Sequence, residues 1–268
     1  MFEHLQQYAG DPIFGLNDAF HRNTHPNKIN LTIGLYYDDA GRIPVLPSVA
    51  AVEHELAADP SPRVYLPMEG LAAYRSAVQH VVFGADSAAV AEGRVATIQT
   101  LGGTGALKVG ADLLQGAYPE SEVWISDPAW DNHHAIFGGA GFKTRSYPYY
   151  DPDTKGLAFD AMMSCLRELP SRTIVLLHPC CHNPTGVDPS PEQWREIIAV
   201  LQQRGLIPFL DLAYQGMGQG MEEDAYAVRA MADAGLSFLV ANSFSKNLSV
   251  YGERCGGLSV VCQNTNEA

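Results

Sequence analysis

From about residue 95 onward, short apolar runs alternate with stretches in which apolar residues recur at helical spacing. The runs predict strands over Val95–Gln99, Val123–Ser126, Ile174–His178, Leu206–Leu210, Phe238–Asn242 and Leu258–Cys262. Between most of them the spacing predicts helices over Ala106–Leu114, His133–Gly138, Asp160–Leu169, Pro191–Gln203 and Glu222–Ala232. The helix at Pro191 has the clearest start: Ser190 suits the cap and Pro191 the first turn. Strands alternating with helices on this scale imply an α/β fold, with a largely parallel sheet covered on both faces.

The first stretch reads differently. Asp11–Asn23 predicts a helix, Lys28–Gly34 a short strand, and Pro44–Pro47 a linker. It carries too little apolar surface to stand alone. We therefore expect residues 1–44 to belong to a second, smaller domain and residues 45–268 to form the main one. No internal repeat or low-complexity segment stands out.

Composition narrows the function classes. Apolar residues make up 46% and charged residues 18%, as in an ordinary globular protein. The net charge of −13 disfavours nucleic acid, whose phosphates a negative surface repels. No apolar run approaches the roughly 18 residues of a membrane span. The start, Met1-Phe2-Glu3-His4-Leu5, shows neither the basic nor the apolar region of a secretory signal. Five cysteines, mostly in apolar surroundings, suggest reduced thiols in the cytoplasm more than a disulfide framework.

Ligands in such sheets gather at the carboxyl ends of the strands. Asp127, Asn183, Asp211 with Tyr214, and Ser243–Lys246 fall at four of those ends. Ser243-Phe244-Ser245-Lys246 reads equally as a solvated turn, as the Ser-x-x-Lys of penicillin-binding proteins, or as the site of an imine-forming lysine. The partner motifs of the second reading, Ser-Asp-Asn and Lys-Thr-Gly, are absent. A carboxylate at the end of a buried strand, as at Asp211, is costly unless paired. It reads as a cap, a salt bridge, or the partner of a protonated pyridine nitrogen. Tyr214 is either packing or a phenol donor to the ring oxygen.

Gly102-Gly103-Thr104-Gly105 opens a helix after a strand, so its N–H groups suit one phosphate. Lys108 stands where a dinucleotide fingerprint needs its third glycine, and no Walker Gly-Lys-Ser/Thr follows. His178 and His182 with Cys180 and Cys181 suggest zinc, but Pro179 breaks the helix that would align the histidines and the cysteines are adjacent. We expect no metal there. Trp130 is core or a stacking ring, and one of His133 and His134 is a second-layer partner for Asp211.

Taken together these residues resemble the aspartate and aromatic aminotransferases, the fold-type-I pyridoxal-phosphate enzymes. The likeness runs through Gly34-Leu35-Tyr36, Tyr65–Gly70, Gly102–Gly105, Cys180–Gly186, Asp211–Gly216 and Ser243–Lys246. Around Tyr65–Leu71 and His178–Gly186 the wording is most similar to bacterial tyrosine (aromatic) aminotransferases. The resemblance implies a mostly parallel seven-stranded sheet and a homodimer that transfers an amino group from an aromatic amino acid to 2-oxoglutarate. It implies that Lys246 carries pyridoxal 5'-phosphate and shuttles the substrate proton. Asp211 would meet the pyridine nitrogen, and Tyr214 and Asn183 the ring oxygen. Trp130 would stack on the ring, and His133 would support Asp211. Gly103, Thr104, Ser243, Ser245 and Arg254 would bind the phosphate, joined by Tyr65 from the neighbouring subunit. Gly34, Trp130 and Asn183 would lie at the substrate, and Pro128 and Pro184 match positions of cis bonds.

Two departures stand out. Cys255 replaces a usually aliphatic residue. The family's chains also continue well beyond the match to Ala268, through a long interdomain helix, the rest of the small domain and two substrate-carboxylate arginines. The expectation is therefore an incomplete small domain and impaired turnover, with aspartate transamination or a non-catalytic cofactor-binding fragment as alternatives.

Overall fold

The computed structural model describes residues 3, 12–30 and 34–268. The chain divides into two compact units, Met1–Pro44 and Val45–Ala268.

In the first unit, helix α1 spans Pro12–Arg22, within the range expected; Asp11 lies outside the described residues. The strand expected over Lys28–Gly34 does not form in residues 28–30 or 34, and residues 31–33 lie outside the described residues. The segment is tied instead to α1 through its side chains. The Lys28 ammonium turns back to the carbonyls of Phe20 (2.7 Å) and Asn23 (2.6 Å), satisfying acceptors at the end of α1.

The second unit starts with three helices, α2 (Pro47–Ala58), α3 (Ala72–Phe83) and the short α4 (Ala88–Ala91). Strand β1 (Val95–Leu101) leads directly into α5 (Gly102–Ala117), followed by β2 (Glu122–Asp127), α6 (Asn132–Gly139) and β3 (Lys143–Pro148). A two-residue hairpin, β4 (Tyr150–Asp151) and β5 (Gly156–Leu157), precedes α7 (Phe159–Glu168), β6 (Ile174–Leu177) and α8 (Pro191–Arg204). Then come β7 (Ile207–Leu212), α9 (Tyr226–Asp233), β8 (Phe238–Ser243) and β9 (Cys255–Val261). The helix expected over Glu222–Ala232 is split: Glu223–Ala225 is a 3-10 turn and α9 begins only at Tyr226.

The sheet has seven strands in the order β1-β9-β8-β7-β6-β2-β3. All neighbouring pairs are parallel except β1–β9 and β8–β9, so β9 alone runs against the rest. Every residue of β6 and β8 is buried, the continuous apolar pattern of strands covered on both faces. On one face α5 packs Ala106, Leu107, Ala111 and Leu114 against Ile125, Phe209 and Leu239. On the other, Met162 and Leu166 of α7, Trp194 and Ile197 of α8, and Val228 and Met231 of α9 close a second core. Each such side chain, fully buried, contributes about 1.5–3 kcal/mol.

Three local features fix how these helices meet the sheet. A Cβ at Gly110 would sit 2.4 Å from Cζ of Phe209, so glycine lets α5 lie close on the strands. In α8, Gln193 N–H donates to Ser190 Oγ (3.2 Å) and Ser190 N–H to Gln193 Oε1 (2.8 Å), a complete capping box. Gly205, at φ 61°, ends that helix and turns the chain into β7. Among the described residues, no helix is long and apolar enough to cross a membrane.

Candidate functional site

Strand direction assembles one end of the sheet. β7 and β8 deliver their carboxyl ends there, while β9, running the other way, begins there. Ser243 at the end of β8 pairs with Gly256, and Leu101 at the end of β1 pairs with Cys255. Arg254, just ahead of β9, is thereby set against the first turn of α5. A Cβ on Gly102 (φ 67°) would lie 2.7 Å from Nη2 of Arg254, and one on Gly103 3.2 Å from Cβ of Ser243.

The result is an anion cradle. The N-cap of α5, Leu101, provides no side-chain acceptor, so the first N–H groups of a 16-residue helix remain open to a ligand. Arg254 Nη1 donates to Ser245 Oγ (3.3 Å) and to the Tyr251 carbonyl (3.1 Å), and Ser245 N–H donates to Ser243 Oγ (3.2 Å). Among the described residues no carboxylate forms an ion pair with Arg254. Ser243 and Ser245 are buried, whereas Thr104 is exposed on the first turn. A guanidinium, two hydroxyls and a helix N-terminus facing one space suit a single phosphate group.

Beside the cradle lies a buried acid. Asp211, within β7, is 5% exposed, and its Oδ2 accepts from His133 Nε2 at 2.8 Å. Burial alone would raise this carboxyl. The His133 hydrogen bond, then the charges of His133, His178 and Lys246, outweigh it and hold the group below the ordinary aspartate range. The His133 ring in turn meets Trp130 edge-on at 5.2 Å and the His178 ring at 5.2 Å. His178 is buried as well; desolvation pushes its pKa down to about 4 despite the opposing Asp211 charge.

Lys246 is half-buried beside Tyr214. Its Nζ lies 4.9 Å from the centre of the Tyr214 ring, and burial lowers its pKa, Asp211 opposing and Arg254 assisting. An ammonium destabilised in this way spends more time as a free amine, the nucleophilic and basic form. Burial, reinforced by the Asp211 charge, raises the Tyr214 phenol, so it stays a hydrogen-bond donor at neutral pH.

The loop after β6 forms the third wall. Both Asp127-Pro128 and Asn183-Pro184 are cis, as the sequence resemblance implied. His182 anchors this loop: Nε2 meets Ser126 Oγ (2.9 Å), Nδ1 meets Thr185 Oγ1 (2.8 Å), and its N–H donates to Asp188 (2.8 Å). Its ring stacks on Tyr149 at 3.8 Å, and burial lowers its pKa to about 3. Asn183 and Trp130 are each half-buried at the loop tips.

The structure thus brings together Lys246, Asp211, Tyr214, His133, Trp130, Gly103, Ser243, Ser245 and Arg254. Two other residues named from sequence are described by exposure alone. Tyr65 is fully exposed, and Gly34 is an exposed residue of the other unit. His178 was weighed from sequence only as a zinc ligand and not as a neighbour of Asp211, although its position just after β6 matches the strand-end logic that marked Asp211. Gly256 was missed too: a Cβ there would lie 2.4 Å from the backbone carbon of Gly102, so glycine alone lets β9 meet the cradle.

Comparisons with known proteins agree with this geometry. The family model for aminotransferase class I and II matches residues 26–267. The chain is 57% identical to the aromatic-amino-acid aminotransferase of Escherichia coli, with 100% of this chain and 68% of the relative covered. It is 50% identical to the aspartate aminotransferase of Pseudomonas aeruginosa, with 100% and 67% covered. The aromatic-amino-acid aminotransferase of Burkholderia pseudomallei, solved covalently bound to pyridoxal phosphate, superimposes with a TM-score of 0.98 at 49% identity, covering 100% of this chain and 67% of that one. The chain spans about two thirds of the length of these relatives.

Proposed function

This chain belongs to the class I and II aminotransferases, and on that premise we propose that it serves amino transfer from aromatic amino acids to 2-oxoglutarate, with pyridoxal 5'-phosphate as cofactor. The observation that carries the reading is a partly buried Lys246 amine 4.9 Å from the centre of the Tyr214 ring, on the same sheet end as the His133–Asp211 pair and the Arg254 cradle.

The residues present fit the cofactor. The cradle of Arg254, Ser243, Ser245 and the α5 N-terminus matches its phosphate, and Gly102 and Gly256 keep that space clear of side-chain carbons. Asp211, held ionised by His133, matches a protonated pyridine nitrogen. When bound, pyridoxal phosphate supplies an electron sink for the substrate α-carbon. Lys246 Nζ takes the proton from that carbon and returns it during transfer, a task suited to an amine of lowered pKa. Tyr214 and Asn183 would hold the ring oxygen, the former with its phenol, and Trp130 would flank the ring. His133 and His178 shield Asp211 from water and hold its charge.

The aromatic preference rests on likeness to aromatic-amino-acid aminotransferases, one in sequence and one in structure. Aspartate transamination is the second reading, favoured by the 50% identity to an aspartate aminotransferase. In the same reading the unit Val45–Ala268 is the cofactor-binding domain and Met1–Pro44 part of the small one. The partner is a second copy of the chain, which the exposed Tyr65 serves, and Gly34 borders the substrate. The setting is the cytoplasm, in keeping with cysteines that are all free.

The test is chemical. The chain is incubated with pyridoxal phosphate, reduced with borohydride and mapped by mass spectrometry. The adduct is expected on Lys246 and absent from Lys246→Ala; label spread over other lysines would overturn the assignment. Single-turnover conversion of tyrosine against aspartate then separates the two substrate readings.

A further inference from the structure

Next to the proposed cofactor site, but not part of it, sits a cluster with no assigned task. Cys180 and Cys181 lie at the start of the loop after β6, and Asp224 comes from the turn before α9. One ligand atom from each, the two Sγ and a carboxylate oxygen, lie within 4.8 Å of one another. Cys180 and Asp224 are each 5% exposed, while Cys181 is half-buried and open to approach.

Three features make this more than a chance meeting of polar side chains. First, Cys181 has a φ of 50°, uncommon for a residue with a Cβ, and this backbone turn accompanies two thiols from adjacent residues gathered on the same carboxylate. Second, the N–H groups of Cys181 (2.6 Å) and His182 (2.8 Å) both donate to Asp188, which holds the turn that carries the two thiols. Third, Asp224 is already fixed in place. Its Oδ2 accepts from the N–H of Gly216 (2.8 Å) and Gly218 (2.9 Å), and its Oδ1 from Gln219 (2.9 Å). A carboxylate offers about four acceptor positions, so one remains for a further partner. Among the described residues no lysine or arginine forms an ion pair with Asp224.

We propose that Cys180, Cys181 and Asp224 form a site for a thiophilic divalent cation of the zinc class, bound by two thiolates and one carboxylate oxygen with a fourth position left to water. Soft thiolates select such ions over magnesium or calcium, and zinc takes sulfur and carboxylate oxygen at about 2.3 and 2.0–2.2 Å. Binding releases the thiol protons, so affinity rises with pH. Sequence spacing argued against a metal here because the two cysteines are adjacent. The fold supplies the third donor from a distant turn and leaves the histidines out of the set. Through Asp224 the ion would engage the loop that follows Tyr214, which links occupancy to the geometry around Lys246.

The test uses the full reduced chain, freed of metal and titrated with zinc against a chromophoric chelator, then with cobalt(II). One equivalent should bind, and the cobalt complex should show sulfur-to-metal charge-transfer bands. Cys181→Ser should weaken zinc binding by at least about a hundredfold, and Asp224→Asn by about tenfold, in line with the 10–100-fold effects of weakened metal shells. A triple variant, Cys165→Ser, Cys255→Ser and Cys262→Ser, should still bind one equivalent. Absence of stoichiometric binding, cobalt spectra without sulfur bands, or binding lost in the triple variant would each overturn the site. Should Asp224→Asn disturb the loop it braces, the sulfur bands of the unsubstituted chain and the Cys181→Ser titration decide the matter.

Discussion

His133 Nε2 stands 2.8 Å from Asp211 Oδ2, and neither residue is more than 5% exposed. A buried carboxylate this close to one imidazole depends on it for most of its compensation. Replacing His133 by alanine leaves the acid facing a void, at a cost of about 2 kcal/mol, the range for a hydrogen bond to a charged group. The Asp211 carboxyl should also move upward. Because its folded value is depressed, Asp211 stabilises the fold above the ordinary aspartate range and ceases to as pH falls through the folded value. In His133→Ala that loss should begin at higher pH. Urea unfolding and a carbon-detected titration of the Asp211 carboxyl measure both effects.

Gly102 and Gly256 should respond differently to alanine. At Gly102 the new carbon meets the end of the Arg254 side chain, which can shift, although the positive φ of 67° still costs about 1–2 kcal/mol. At Gly256 it meets backbone, the Gly102 carbon at 2.4 Å and the Asn242 carbonyl at 2.7 Å. Neither can yield, and overpacking costs about 3 kcal/mol or more. Denaturant midpoints should fall further for Gly256→Ala. Gly102→Ala should mainly weaken phosphate-group affinity, read by equilibrium dialysis of pyridoxal phosphate.

Acid should destabilise the fold in a defined window. His178 and His182 are held neutral by burial, at about 4 and about 3, while the unfolded chain protonates them near 6.5. Below about pH 6.5 the unfolded state therefore binds more protons, and stability falls as pH is lowered toward the folded values. The His178 share reaches on the order of 3 kcal/mol by pH 4. His178→Gln should flatten the stability–pH slope between pH 6 and about 4 by up to one proton. Urea unfolding at several pH values reads the slope directly.

Tyr65 is fully exposed, with Val64 and Met68 exposed beside it. Tyr65→Phe should leave the urea midpoint of the single chain within about 0.5 kcal/mol, as for surface changes generally. Its effect on cofactor affinity should appear only at protein concentrations where the chain self-associates. Affinity measured across a dilution series, beside sedimentation of the same samples, separates the two.

Much of this site was legible because its residues follow apolar strands. Leu206–Leu210 and Phe238–Asn242 are continuous runs, so Asp211 and Ser243–Lys246 announced themselves as polar breaks at strand ends. Strand direction was not legible, since a short apolar run such as Leu258–Cys262 reads the same either way, and the reversal of β9 places Arg254. β3 was missed because at the sheet edge only Tyr147 of its six residues is buried, so it lacks an apolar run. α2 has no buried residue and gave no amphipathic signal. Asp224 was invisible as a donor because its role depends on a loop folding back to reach Cys180 and Cys181.

Among the described residues β1 forms one margin of the sheet and pairs with β9, the strand farthest from it along the chain. Among the sheet's pairings this one closes the longest loop, and loop-closure entropy makes such contacts slow to form. The phosphate cradle draws Gly102 and Gly103 from one side of that seam and Arg254 from the other. A phosphate group bound there, as we propose, would act as a clasp on the most remote contact in the sheet. At a ligand concentration a hundred times its Kd, that clasp adds about 2.7 kcal/mol to the closed form. The cofactor site is in this sense also a fastener, joining the first strand of the sheet to the last.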